Sequence, residues 1–425
     1  MALTPSASTA SAPSAATDEP AGRWVILSLL GVTQFLGMSL WFTASATASQ
    51  LAALWGLDAS TAAGLTMAVQ VGFVAGTGVA AVLNLADLVP ARVYVAVAAL
   101  LAAGANYSLA LAGGPDTALA SRFLTGFCLA GVYPPAMKMA ATWFRASRGL
   151  AIGVIVGALT VGKAAPYLVG AFADLDYRFV LTTTSAGAVV AAALVLFGYR
   201  DGPFAFERRP FSWSLAGVIL RHRPSRLAIG AYLGHMWELY ACWAALSLFF
   251  LHYFLARGFT DAQATLYAGL VTFSAIAAGG PGSILAGTWA DRWGRENVAG
   301  AALAVSGACA LTIGWLGAAT VGSATPVSAA ASGAPAVLVI GLALVWGFAV
   351  VADSAQFSAL VTEVAPPHAV GTALTLQTSL GFLLTAFTIW LTFELQDLFG
   401  WGVAFSVLAL GPTVGIWQLR LLRNR

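Results

Sequence analysis

Twelve long apolar runs leave this chain few folds to choose from. They cover approximately residues 24–45, 61–84, 92–112, 117–143, 149–172, 178–198, 227–252, 265–289, 297–319, 336–361, 368–390 and 400–421. At about 1.5 Å of rise per residue, each is long enough to cross a hydrocarbon layer of roughly 30 Å as a single helix. Charged residues make up only 9% of the 425, against about 25% in a water-soluble domain. They cannot cover a water-facing surface, so lipid must be the solvent for most of the chain. The expected fold class is an all-α integral membrane protein with twelve transmembrane helices.

The segments between the runs set orientation. Residues 199–226 form a linker carrying Arg200, Arg208, Arg209, Arg221, Arg223 and Arg226, whereas 320–335 is a Ser-, Ala-, Gly- and Pro-rich loop without charge. Placing both termini in the cytoplasm puts about 15 of the 20 Lys and Arg in or beside inside segments, with only Arg178 and Arg257 outside. That is the asymmetry the positive-inside rule asks for. Residues 1–23, rich in Ser, Ala, Thr and Pro without an apolar core, read as a disordered cytoplasmic tail rather than a signal peptide. Cys128, Cys242 and Cys309 all fall inside apolar runs, so no disulfide framework is implied, and none has a metal-ligand spacing with a histidine. No metal or cofactor is expected, and a net charge of +3 makes no case for nucleic acid.

One charged stretch stands out: Gly287-Thr288-Trp289-Ala290-Asp291-Arg292-Trp293-Gly294-Arg295, between two of the runs. An acid, arginines and glycines there predict a tight turn at the membrane surface, able to latch one helix end onto its neighbour. A worn copy occurs about 204 residues earlier, in Leu83-Asn84-Leu85-Ala86-Asp87-Leu88-Val89-Pro90-Ala91-Arg92. Leu30-Gly31 likewise has a counterpart in Leu233-Gly234, and Gly149-Leu150-Ala151-Ile152 in Gly371-Thr372-Ala373-Leu374. This repetition predicts two pseudo-symmetric six-helix halves, 24–198 and 227–421, joined by the 199–226 linker, with a substrate path between them near the midplane.

The Gly-x-x-Ala-Asp-Arg-x-Gly-Arg pattern resembles the loop signature of the major facilitator superfamily. Arg122 in Ser121-Arg122-Phe123-Leu124-Thr125-Gly126 is similar to that superfamily's fourth-helix motif. The resemblance runs from about residue 24 to 421 and implies secondary transport by alternating access. It also implies that Asp87, Arg92, Asp291, Arg292 and Arg295 act as gates at the inner ends of the helices. Helices four and five look like bacterial members grouped with nitrate and nitrite porters, which implies a bacterial inner (cytoplasmic) membrane. Those porters carry arginines in helices two and eight, and the runs 61–84 and 265–289 have none.

Ionisable groups inside the runs are the candidate site, since each costs about 2.5–3.5 kcal/mol to insert. Lys163 lies some 14 residues into helix five, about 20 Å from the inner surface. With Arg122 it forms a cationic pair suited to an anion; alternatively it pairs with an acid such as Glu238. Glu238, near the midplane of helix seven, and His235 one turn earlier can take up and release protons. Asp353 in Asp353-Ser354-Ala355-Gln356 joins them as a proton-coupling candidate. Trp41 and Gln34 of helix one, Trp237 and Tyr240 of helix seven, and Gln377 of helix eleven complete the expected substrate-binding set. Tyr133-Pro134-Pro135 should kink helix four.

No phosphate-binding loop, zinc motif or nucleophile elbow is present in the sequence, so an enzyme is not expected. The leading expectation is a monomeric transporter in the lipid bilayer performing proton-coupled uptake of a small organic or inorganic anion. The alternative is a proton-driven efflux antiporter for a cationic or amphipathic compound.

Overall fold

The computed structural model describes residues 20–424 apart from 84, 145–147, 173–175, 205–211 and 323–332. The expected tail at 1–23 therefore lies almost wholly outside the described residues, as do Arg208 and Arg209 of the linker.

Where the sequence is a continuous apolar run, the helix is continuous. The second helix is Ala59–Val82, the third Ala91–Ser108, the fifth Arg148–Gly170 and the sixth Tyr177–Gly198. After a short linker helix, Trp213–Arg221, come the seventh at Arg223–Ala256, the eighth at Asp261–Trp293 and the ninth at Arg295–Gly322. The eleventh spans Val370–Phe399. The remaining four are interrupted. The tenth divides into Gly333–Ala352 and Ser354–Val364, the twelfth into Trp401–Leu408 and Leu410–Arg423. Ten membrane-crossing helices are long and apolar enough by themselves, among the described residues. The first (Arg23–Met38, then Thr43–Ala46) and the fourth (Pro115–Leu129, then Tyr133–Ala141) fall short only because each is broken.

The breaks have chemical causes. In the fourth helix Pro134 and Pro135 open the second segment; neither has an N–H to donate back, so the ladder stops at Ala130–Val132. The first helix tightens into three-residue turns, Ser39 N–H to Leu36 O at 3.4 Å and Trp41 N–H to Met38 O at 3.2 Å. Its freed carbonyls at Leu40 and Trp41 need donors from elsewhere.

The stretch expected as a charged loop is mostly helix. The eighth helix runs through Trp293, and Gly294 alone separates it from the ninth. That residue has φ +83°, which an L side chain adopts only with strain.

The two halves meet along two seams, the fifth helix on the eighth and the second on the eleventh. Ser283 of the eighth helix donates to the Gly153 carbonyl of the fifth at 3.5 Å. The linker is docked at both ends. Trp143 Nε1 donates to Arg200 O at 2.9 Å, and Ser212 N–H donates to Thr372 Oγ1 on the eleventh helix at 3.1 Å.

Candidate functional site

Lys163 reaches the plane between the halves because the fifth helix lies against the first at the preceding residue. A Cβ on Gly162 would sit 2.8 Å from the Phe35 Cα, closer than packed atoms approach, so only glycine permits this contact. The Lys163 side chain, 3% exposed, then enters an aromatic layer built from both halves. Its Nζ lies 4.1 Å from the Trp41 ring centroid, 4.7 Å from Tyr240, 5.9 Å from Trp243 and 6.0 Å from Phe382. It donates to the Tyr240 hydroxyl. The rings also pack on one another: Phe73 on Phe382 at 4.5 Å, Trp41 on Phe73 at 5.0 Å and Tyr240 on Phe382 at 5.2 Å. Phe42 bridges from the first helix to Trp243 of the seventh at 6.0 Å. No carboxylate pairs with Lys163 among the described residues. The expected alternative partner, Glu238, points elsewhere.

Arg122 does not join Lys163. Its guanidinium is fully buried inside the N-terminal half, where the two terminal nitrogens make four bonds and Nε has no partner. One terminal nitrogen donates to Thr43 Oγ1 and Asn106 Oδ1, both at 2.8 Å. The other donates to the Leu40 and Trp41 carbonyls at 3.0 and 2.6 Å, filling the gap left by the break in the first helix. Asn106 is fixed in turn by Ser185 of the sixth helix at 3.0 Å. The cationic pair read from the sequence thus separates into an ammonium on Tyr240 between the halves and a guanidinium clamp within one of them.

The acids lie in the C-terminal half. Glu238 accepts from Trp346 Nε1 at 2.6 Å and from Ser306 Oγ at 2.8 Å, and is completely buried. His235 Nδ1 lies 2.8 Å from Asp353 Oδ1, both buried, and its Nε2 is 3.0 Å from Ser354 Oγ, which is only half-buried. The pair bridges the seventh helix to the single-residue interruption of the tenth.

Two expected binding residues face away from the interface or into one half. Trp237 packs on Phe387 at 6.0 Å and donates to Val407 O at 3.1 Å, on the outer side of the seventh helix. Gln34 donates to Val132 O at 3.3 Å, capping the break in the fourth helix, and its Oε1 has no partner. Gln377 is buried, likewise with an unpartnered Oε1. Of the gating set, Arg295 pairs with Glu363 at 2.6 Å and donates to Gln356 at 3.2 Å. Asp291, Arg292 and Arg92 are exposed, and no ion pair joins Asp291 to Arg292 or Arg295. The backbone of Asp87 lies in the short helix Leu85–Leu88; its side chain is outside the described residues. No group of three His, Cys, Asp or Glu among the described residues could hold a metal ion.

Sequence reasoning missed Phe73 and Phe382, whose apolar type gives no signal, and Asn106 and Gln70, which did carry one. Each of those two is a lone amide in the middle of an apolar run, and Gln70 has no partner for either amide atom.

Residues 27–389 match the sequence profile of the Major Facilitator Superfamily. Among solved structures, the nucleoside transporter NupG superposes with a TM-score of 0.69 at 14% identity, covering 94% of this chain and 99% of that one. A D-xylose-proton symporter gives 0.67 at 16% identity, covering 94% and 97%. The human organic anion transporter MFSD10 gives 0.64 at 15% identity, covering 94% and 100%. No curated protein matches the chain.

Proposed function

This chain belongs to the Major Facilitator Superfamily and is a secondary transporter, and from that premise we propose that it carries a small anion together with protons. The observation that carries the reading is Lys163: a buried ammonium between the halves with no carboxylate partner among the described residues. A fixed cation there disfavours a cationic substrate by about 4 kcal/mol at 4 Å under an effective dielectric near 20. An anion relieves an unneutralised charge instead. The anion-porter likeness of helices four and five agrees with this.

Proton coupling is assigned to Asp353 and His235, with Glu238 as a second acid. His235 faces Asp353 at 2.8 Å on one side and the half-buried Ser354 at 3.0 Å on the other, both at the interruption of the tenth helix. Charge on that pair would favour one hinge angle over the other, the differential interaction that coupling requires. The likeness in fold to a proton symporter supports coupling of this kind. The basic linker and both termini face the cytoplasm in this scheme, and the protein works as a monomer in a bacterial inner membrane.

The efflux alternative draws on the same rings, because aromatic faces attract cations. It requires the Lys163 ammonium to vacate the layer first. Counterflow in proteoliposomes decides between them. Native protein should exchange anions, and Lys163→Met should abolish that exchange while the protein still purifies as a folded species. Exchange of anions by Lys163→Met at the native rate, or exchange of cations alone by the native protein, overturns the proposal.

A further inference from the structure

The surroundings of Lys163 narrow the class of anion. Around Lys163 stand two indole rings, Trp41 and Trp243; their N–H groups and the ammonium can donate hydrogen bonds but not accept them. Both indole nitrogens are buried and have no partner. The two residues are 0% and 2% exposed, and their rings lie 4.1 and 5.9 Å from Nζ. A buried N–H without a partner is costly, and two on the rings around an ammonium that has no carboxylate partner among the described residues mark a place for an acceptor-rich group. A carboxylate has two oxygens with about four lone-pair sites.

The rest of the layer is flat and unsaturated. Trp41, Phe73, Tyr240 and Phe382 are packed on one another at centroid separations of 4.5–5.6 Å, so a substrate ring enters only as they part. Such rings favour a planar π-system over a saturated body of the same size. The nearest acid on the seventh helix, Glu238, has its oxygens on Trp346 and Ser306 and offers no competing negative charge to the layer.

From these groups together we infer that the substrate is a small aromatic carboxylate, its carboxylate on Lys163 and the two indoles, its ring among Trp41, Tyr240 and Phe382. The inference rests on the anion reading above and adds the body of the molecule to its charge. Because Trp41 and Phe382 belong to different halves, a ring inserted between them also contacts both moving parts.

The test compares benzoate, cyclohexanecarboxylate, nitrate and a planar cation, N-methylpyridinium, as counterflow substrates of the full-length protein in proteoliposomes. Benzoate should exchange at least about fivefold faster than cyclohexanecarboxylate at equal concentration, with nitrate slower still. Trp243→Phe keeps a ring but removes an N–H donor. It should raise the half-saturating benzoate concentration about fivefold, close to 1 kcal/mol. Trp41→Phe serves as an independent second variant with the same expectation. Equal exchange of benzoate and cyclohexanecarboxylate, or faster exchange of nitrate, overturns the aromatic assignment while leaving the anion reading intact. Unchanged benzoate affinity in both indole variants removes the carboxylate pose. Exchange of N-methylpyridinium alone sinks both readings together.

Discussion

Replacing Arg122 by methionine separates a clamp from a binding residue. The guanidinium makes four bonds to two helices, at 2.6–3.0 Å. Without it the one Thr43 hydroxyl hydrogen can serve Asn106 Oδ1 at 2.7 Å or the Leu40 carbonyl at 3.1 Å, so the lasting loss falls on the Trp41 carbonyl and on whichever of those two is left. Each buried carbonyl left unpaired costs about 1–3 kcal/mol. Side-chain bonds between membrane helices average nearer 0.6 kcal/mol, and removing the charge recovers part of its desolvation. The balance is a net destabilisation of about 2–3 kcal/mol. Reversible SDS titration in mixed micelles, followed by tryptophan emission, measures it. Arg122→Lys should recover little, since one ammonium cannot reproduce a planar fork reaching acceptors on two helices. A residue that only contacts substrate behaves differently, leaving the unfolding midpoint unchanged and weakening transport. Native-like stability of Arg122→Met would refute the clamp.

Two further outcomes follow from the site. Asp353→Asn should abolish proton-driven accumulation yet keep counterflow, because an amide of the same size fills the place beside His235 but cannot release a proton; accumulation at the native level would remove Asp353 from coupling. Gly162→Leu forces a side chain against the Phe35 backbone and should destabilise by at least about 1–3 kcal/mol, the usual range for overpacking, while Gly287→Leu, where nothing lies within 4 Å, should be nearly neutral in the same titration.

An all-helical membrane fold was legible because hydropathy acts locally: a run of about twenty apolar residues is long enough to cross lipid as a helix. The kink at Pro134-Pro135 was legible for the same reason, since a missing N–H is a property of the residue itself. Lys163 and Glu238 could be recognised as costly in lipid, and both are buried as that cost demands. Their partners could not be read. Side chains on a helix point around a full circle, and which arc faces the other half depends on how helices rotate against one another. Trp237 and Tyr240 are three residues apart on the seventh helix, yet Tyr240 reaches Lys163 and Trp237 packs on Phe387.

By itself the chain determined that lipid is its solvent, that it folds as membrane helices, and which few polar residues need an explanation. Only the packed structure decided that Arg122 is clamped to the broken first helix while Lys163 lies among aromatic rings without a carboxylate. The reason is physical: burial is set by composition along the chain, but satisfaction of a buried charge depends on carbonyls and hydroxyls brought in from helices up to 82 residues away.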